Sequence, residues 1–310
     1  MTKVFIDGRE GTTGLRIDER LSGRDDIELI TLEERFRKDD AHRKEALNAC
    51  DIAFLCLPDA AAVSAVSMIE NPNVRVIDAS TAHRTAEGWV YGLPELSEKQ
   101  RAAVAAGNRV AVPGCHASGF VTLVYPLIKA GLLPADAQLC CHCLTGYSGG
   151  GKKMIAAYEA PDRDALLDAP RQYGITQQHK HLKEMQGICG LQYAPLFTPI
   201  VGDFYSGMLM TVQLFQSQLA PGAGIEQIRS LYAERYQTPI VQYTEVMDKD
   251  GFFSAAARKN QDSMLVSVAG NAERILLLAL YDNLGKGASG AAIECMNLMT
   301  GNNPEKGLVL

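Results

Sequence analysis

No apolar run in this 310-residue chain is long enough to span a bilayer; the longest, residues 275–281, is strand-sized. An excess of basic charge is also missing. The 30 Lys+Arg stand against 36 Asp+Glu, a net charge of −6, so nothing in the balance asks for nucleic acid or an anionic membrane surface. The first residues lack a basic stretch followed by an apolar run and a small-residue cleavage site, so no secretory signal is expected. There is no internal repeat, low-complexity tract or Pro/Ser-rich linker. Hydrophobic residues make up 47% and charged residues 21%, the balance of a folded globular chain rather than a disordered one.

What is present alternates. Residues 4–7, 27–32, 51–57, 74–79 and 109–112 read as strands. Helix-like stretches lie between them at 39–48, 60–69 and 97–106, the first with Asp39 or Asp40 as its N-cap. This order predicts an α/β unit with a doubly wound parallel sheet. From about residue 137 the pattern changes. Strand-like stretches at 139–145, 208–215, 264–269 and 273–281 dominate, the last two joined by a Gly270-Asn271 turn. Helices are fewer, 225–236 being the clearest. The second part therefore predicts an α+β domain with a mostly antiparallel sheet. A helix rich in small residues, 287–299, closes the chain.

Four motifs carry chemistry. Gly8-Arg9-Glu10-Gly11-Thr12-Thr13-Gly14 follows the first strand and opens a helix. Such a turn lets backbone amides approach a pyrophosphate at a helix N-terminus, although a plain tight turn has the same composition. After the second strand, Glu33-Glu34-Arg35-Phe36-Arg37-Lys38 holds both acids and cations. It leaves NAD and NADP open with a slight lean to the 2′-phosphate.

Pro113-Gly114-Cys115-His116 is the second motif. It puts Cys115 between a strand and a helical run, where the dipole favours the thiolate. The remaining seven cysteines, 50, 56, 140, 141, 143, 189 and 295, read as reduced thiols, with Cys56 a buried small hydrophobe. The third motif, Gln177-Gln178-His179-Lys180-His181-Leu182-Lys183-Glu184, puts two histidines on one side of a strand or loop. One of them can move the proton that thiolate chemistry needs, with Glu184 to orient it. Cys140, Cys141, His142 and Cys143 offer donors for a metal, but alternation along a strand turns them to opposite faces, and no metal is assigned. The fourth, Thr145-Gly146-Tyr147-Ser148-Gly149-Gly150-Gly151-Lys152, suits an anion or is a flexible surface loop.

Taken in order, these motifs resemble the N-acetyl-gamma-glutamyl-phosphate reductase family in its short, type 2 variant. That family is similar in fold to the aspartate-semialdehyde dehydrogenases and to glyceraldehyde-phosphate dehydrogenase. Asp78-Ala79-Ser80-Thr81-Ala82-His83-Arg84, Tyr91-Gly92-Leu93-Pro94-Glu95 and Lys286-Gly287-Ala288-Ser289-Gly290 look like further family blocks. Two positions depart from the pattern: Val112 stands where the family often has Asn, and Lys183 where it usually has Pro.

The resemblance implies a dinucleotide-binding domain over 1–115 completed by 286–310, and a catalytic and oligomerisation domain over 116–285. It implies NADP as cofactor, held by Gly8, Gly11, Thr12, Thr13, Gly14, Arg35 and Ser80. Cys115 is the implied nucleophile, with His181, His179 and Glu184 as the acid–base group. Ser148, Gly149, Lys152 and Arg84 are the implied substrate contacts. The implied reaction is reduction of N-acetyl-glutamyl 5-phosphate to the 5-semialdehyde through a Cys thioester, in arginine biosynthesis. A cytoplasmic homo-oligomer, dimer or tetramer, is expected with it. Rival readings are another acyl-phosphate reductase such as an aspartate-semialdehyde dehydrogenase, an NADP sensor, and a cofactor-free Cys-His hydrolase.

Overall fold

The computed structural model describes residues 1–245 and 249–310. The chain forms two units, one of Met1–Gly114 with Ala288–Leu308, the other of Cys115–Gly287 with Val309–Leu310.

The first unit runs β1 (Thr2–Asp7), α1 (Thr12–Leu21), β2 (Ile27–Ile30), α2 (Asp40–Ala49), β3 (Ile52–Leu55), α3 (Asp59–Ser67), β4 (Arg75–Asp78), β5 (Val90–Tyr91), α4 (Glu98–Ala106) and β6 (Arg109–Ala111). Among the described residues these strands form one sheet in the order β2-β1-β3-β4-β6-β5, with every pairing parallel. The predicted α/β alternation holds. The addition is β5, a two-residue edge strand too short to leave a periodic signal, so 109–111 is the sixth strand and not the fifth. Period-two alternation sorts the strand residues between two cores. Val4, Ile6, Ile52, Phe54 and Ile77 pack with Ile17, Leu21 and Val104. Phe5, Ala53, Leu55 and Val76 pack with Ala46, Leu47, Ala62 and Ala65 on the other face. Asp39 caps α2 by accepting from the His42 amide.

The second unit begins with α5 (Cys115–Lys129), then β7 (Cys140–Gly146), α6 (Gly151–Glu159), β8 (Arg171–Gln172), α7 (His181–Cys189), β9 (Leu196–Gly202), β10 (Met208–Phe215), α8 (Ile225–Arg235), β11 (Val241–Tyr243), β12 (Met264–Gly270) and β13 (Arg274–Tyr281). The sheet order is β11-β12-β13-β10-β7-β9-β8. Four pairings are antiparallel, and β7–β9 and β11–β12 are parallel, so the sheet is mixed but mostly antiparallel as expected. The β12–β13 hairpin turns at Gly270, whose φ of 107° suits glycine, and the Asn271 amide donates to the Arg274 carbonyl.

The chain returns to the first unit with α9 (Gly290–Met299), whose Ala291, Ala292, Ile293, Cys295 and Met296 join the Val4–Ile77 side of the core. The helix expected from 287 opens instead as a wide π-type turn over Gly285–Ser289. No helix among the described residues is long and apolar enough to cross a membrane.

Candidate active site

In the first unit the glycine turn is fixed by close backbone approach. Gly8 has φ of 85°, and a Cβ there would lie 2.3 Å from the Cys56 carbonyl oxygen; a Cβ on Gly14 would lie 2.5 Å from the Gly8 carbonyl oxygen. Only glycine fits either position. Gly11 caps α1 without a side chain, and the first turn holds no acid, so the N-terminal end keeps its positive dipole for an anion. Thr12 and Thr13 start that helix. This is a cradle into which a dinucleotide pyrophosphate fits.

Around the turn, Arg37 pairs with Glu10 at 2.7 Å and Arg9 with Asp18 at 2.7 Å. Arg35 is exposed, pairs with Glu33 at 3.0 Å and lies over the Phe36 ring at 4.5 Å. Ser80 is buried in the loop after β4, where its amide and hydroxyl both donate to Asp78, at 2.8 and 2.7 Å. Arg84 donates to the carbonyls of Val112 at 2.9 Å and Ala79 at 3.1 Å.

The thiol site lies in the second unit. Cys115 is half-buried and is the first residue of α5, the strand-to-helix position expected for it. The Tyr281 hydroxyl donates to its carbonyl oxygen at 2.7 Å and accepts from the Gly119 amide at 3.2 Å. Helix α7 packs on α5 and brings in the histidines. His181 opens α7 and is buried, while His179 lies in the loop before it. The expected shared strand or loop is therefore a loop-to-helix junction. The two rings still meet, 4.7 Å apart at 74°, and the His181 amide donates to His179 Nδ1 at 3.2 Å. Burial, then Lys180, lowers the His179 pKa. Glu184 is buried in the first turn of α7.

A third imidazole belongs to the cluster. His116 is buried, with its ring 5.5 Å from that of His181, 5.6 Å from His179 and 5.1 Å from Phe197. Its Nε2 lies 2.7 Å from the Tyr173 hydroxyl. Burial, with a smaller push from His179, lowers its pKa to about 3. One donor atom from each of Cys115, His116 and His181 lies within 4.8 Å of the other two. In the sequence His116 showed only as a polar neighbour of Cys115. Tyr173 and Tyr281 left no signal, because their roles come from contacts across many residues.

Two other cysteines differ from this one. Burial pushes the Cys56 thiol up to about 12 and holds Cys143 well above its ordinary range, which leaves both unreactive. Of the expected anion loop, Gly149 and Lys152 are exposed, whereas Ser148 is fully buried and its Oγ accepts from Asn283 Nδ2 at 3.0 Å.

Comparison with known proteins agrees with both units. Residues 3–104 match the family described as semialdehyde dehydrogenase, NAD binding domain, and 115–283 match semialdehyde dehydrogenase, dimerisation domain. The chain is 46% identical over 306 residues to N-acetyl-gamma-glutamyl-phosphate reductase 2 of Pseudomonas putida, covering 96% of each chain. It is 44% identical to N-acetyl-gamma-glutamyl-phosphate reductase of Trichormus variabilis, covering 99% of each. Aspartate semialdehyde dehydrogenase II from Vibrio cholerae shares the fold, with a TM-score of 0.71 at 16% identity over 97% of this chain and 98% of that one. A probable aspartate-semialdehyde dehydrogenase from Pseudomonas aeruginosa gives 0.72 at 16% over 96% and 98%. The chain belongs to the semialdehyde dehydrogenases and, within them, to the N-acetyl-gamma-glutamyl-phosphate reductase family.

Proposed function

We propose that this chain reduces N-acetyl-L-glutamyl 5-phosphate to N-acetyl-L-glutamate 5-semialdehyde with release of phosphate, in arginine biosynthesis. The observation that carries the reading is Cys115 at the start of α5 with His116 and His181 beside it and His179 against both rings, in a chain 43–46% identical to reductases of that name.

The first unit holds NADP. Gly8, Gly11, Thr12, Thr13 and Gly14 supply the pyrophosphate cradle, and Arg35 and Ser80 lie on the loops after β2 and β4. When bound, the reduced cofactor supplies a hydride. The rest of the chemistry belongs to the second unit.

The Cys115 thiolate attacks the acyl carbon; the S–C bond forms, the C–O bond to phosphate breaks and phosphate leaves, giving a thioester. Amides at the start of α5 face the charge that develops on the acyl oxygen. After reduction, His179 or His181 protonates the thiohemiacetal oxygen and takes the proton back as the C–S bond breaks. Aldehyde and thiolate are released. Glu184, one turn along α7, orients that pair. Lys152 and Gly149 are the exposed groups left for a substrate carboxylate; Ser148 and Arg84 support their loops through Asn283 and the 79 and 112 carbonyls.

The second unit also carries the subunit contacts of a homo-oligomer, in keeping with the dimerisation domain it matches. A chemistry that needs a reduced thiol suits the cytoplasm.

The test runs the reaction backwards. N-acetylglutamate 5-semialdehyde, phosphate and NADP should give NADPH absorbance, and aspartate semialdehyde in its place should give far less. A preference for aspartate semialdehyde would move the chain to the neighbouring activity.

A further inference from the structure

His116 has one satisfied ring nitrogen and one that is not. Nε2 meets the Tyr173 hydroxyl at 2.7 Å, whereas Nδ1 is buried with no hydrogen-bond partner among the described residues. An unmet buried polar atom costs about 1–3 kcal/mol and is uncommon in a folded chain. The ring that carries it supplies one of three donor atoms, with Cys115 and His181, that all lie within 4.8 Å of one another. The titratable groups around the ring are Cys115, Tyr173, His179 and His181. Burial keeps the His116 ring neutral near pH 7, and it also keeps the Tyr173 hydroxyl protonated.

We propose that His116 is a catalytic residue that donates a hydrogen bond from Nδ1–H to the oxygen of the carbon bound to Cys115, and that Tyr173 is the positioning residue that sets its tautomer. The inference rests on the acyl-thiol reading of the site. The Tyr173 O–H donates to Nε2, which leaves the ring proton on Nδ1. The nitrogen without a partner is then the one that an arriving oxygen satisfies. A neutral N–H needs no proton transfer to do this, and its bond strengthens as the carbonyl becomes an oxyanion. Two jobs are thereby split among three imidazoles: His116 donates without titrating, and His179 and His181 carry the proton.

Side-chain amides test the geometry. His116→Asn puts an N–H near the Nδ1 position, and His116→Gln puts one near Nε2. Tyr173→Phe removes only the hydroxyl. Tyr173→Phe and His116→Gln should lower kcat by roughly 10- to 100-fold with KM changed about twofold or less, whereas His116→Asn should stay within about fivefold of the parent. All three should alkylate at Cys115 with iodoacetamide at the parent rate, and all should keep the acid limb of the kcat/KM profile. Loss of that limb in the His116 variants would make His116 the proton carrier and overturn the proposal. So would equal damage in the Asn and Gln variants, or parent activity in Tyr173→Phe. If His116→Gln does not fold, Tyr173→Phe decides. The p-nitrophenolate burst from a p-nitrophenyl ester of N-acetylglutamate reads acylation of Cys115 without cofactor. A parent burst with no phosphate-dependent reduction would fail the reductase reading and leave this inference to be judged on burst rates.

Discussion

The Tyr281 hydroxyl donates to the Cys115 carbonyl at 2.7 Å while accepting from the Gly119 amide at 3.2 Å. One oxygen at the end of β13 thus ties together the backbone of the first turn of α5, the turn that carries Cys115. Tyr281 is fully buried, and burial holds its phenol protonated, so it remains a donor. Tyr281→Phe should cost about 1–3 kcal/mol of stability by leaving a buried amide and carbonyl with a lost partner. It should also lower kcat by roughly tenfold as the Cys115 backbone loosens. Urea unfolding and steady-state kinetics on the same preparation check both. A change in stability with kcat untouched would confine Tyr281 to the fold.

Cys115→Ser should lose roughly 10³-fold or more in kcat, since a hydroxyl at ordinary pKa replaces a thiolate. NADP affinity, measured by calorimetry, should stay within about twofold, because the glycine turn lies in the other unit. Retained turnover in the Ser variant would exclude thiol chemistry.

Gly14→Ala tests that turn. The added Cβ would lie 2.5 Å from the Gly8 carbonyl oxygen, so the backbone must shift. NADP binding by calorimetry should weaken roughly tenfold or more, while alkylation of Cys115 proceeds at the parent rate. Unchanged NADP affinity would show that the cofactor does not use this turn.

Stability should fall on the acid side through His116. Its folded pKa, about 3, lies below the ordinary 6.5, so the unfolded chain binds the extra proton. Stability from this group is therefore present above pH 6.5 and is lost progressively as pH falls from 6.5 toward 3. By pH 5 the loss is about 2 kcal/mol. His179 and His142, both lowered by burial, push the same way. Urea midpoints at pH 7.5 and pH 5 should differ less in His116→Asn than in the parent. Identical differences would contradict a neutral buried His116.

Much of this was legible in sequence because it was local. The strand expected at 208–215 is Met208–Phe215, and the Gly270 hairpin, the Asp39 cap and the junction at Cys115 all rest on neighbours within a few residues. What escaped depends on distant partners. His116 finds Tyr173 57 residues away, and Cys115 finds Tyr281 across 166. Period and spacing carry no trace of such pairs. The His179–His181 pairing survived although its expected setting did not: a helix starting at His181 still brings the two rings edge to face, since the loop before it supplies the turn. The wide turn at Gly285–Ser289 was hidden for another reason, because small residues suit a helix and its distortion equally.

The central claim is that Cys115 carries an N-acetylglutamyl group from phosphate to hydride. Its most direct measurement is NADPH formation from N-acetylglutamate 5-semialdehyde and NADP, with and without phosphate. The account predicts turnover that needs phosphate and disappears in Cys115→Ser. NADPH formation at the same rate without phosphate, or in the Ser variant, would contradict it.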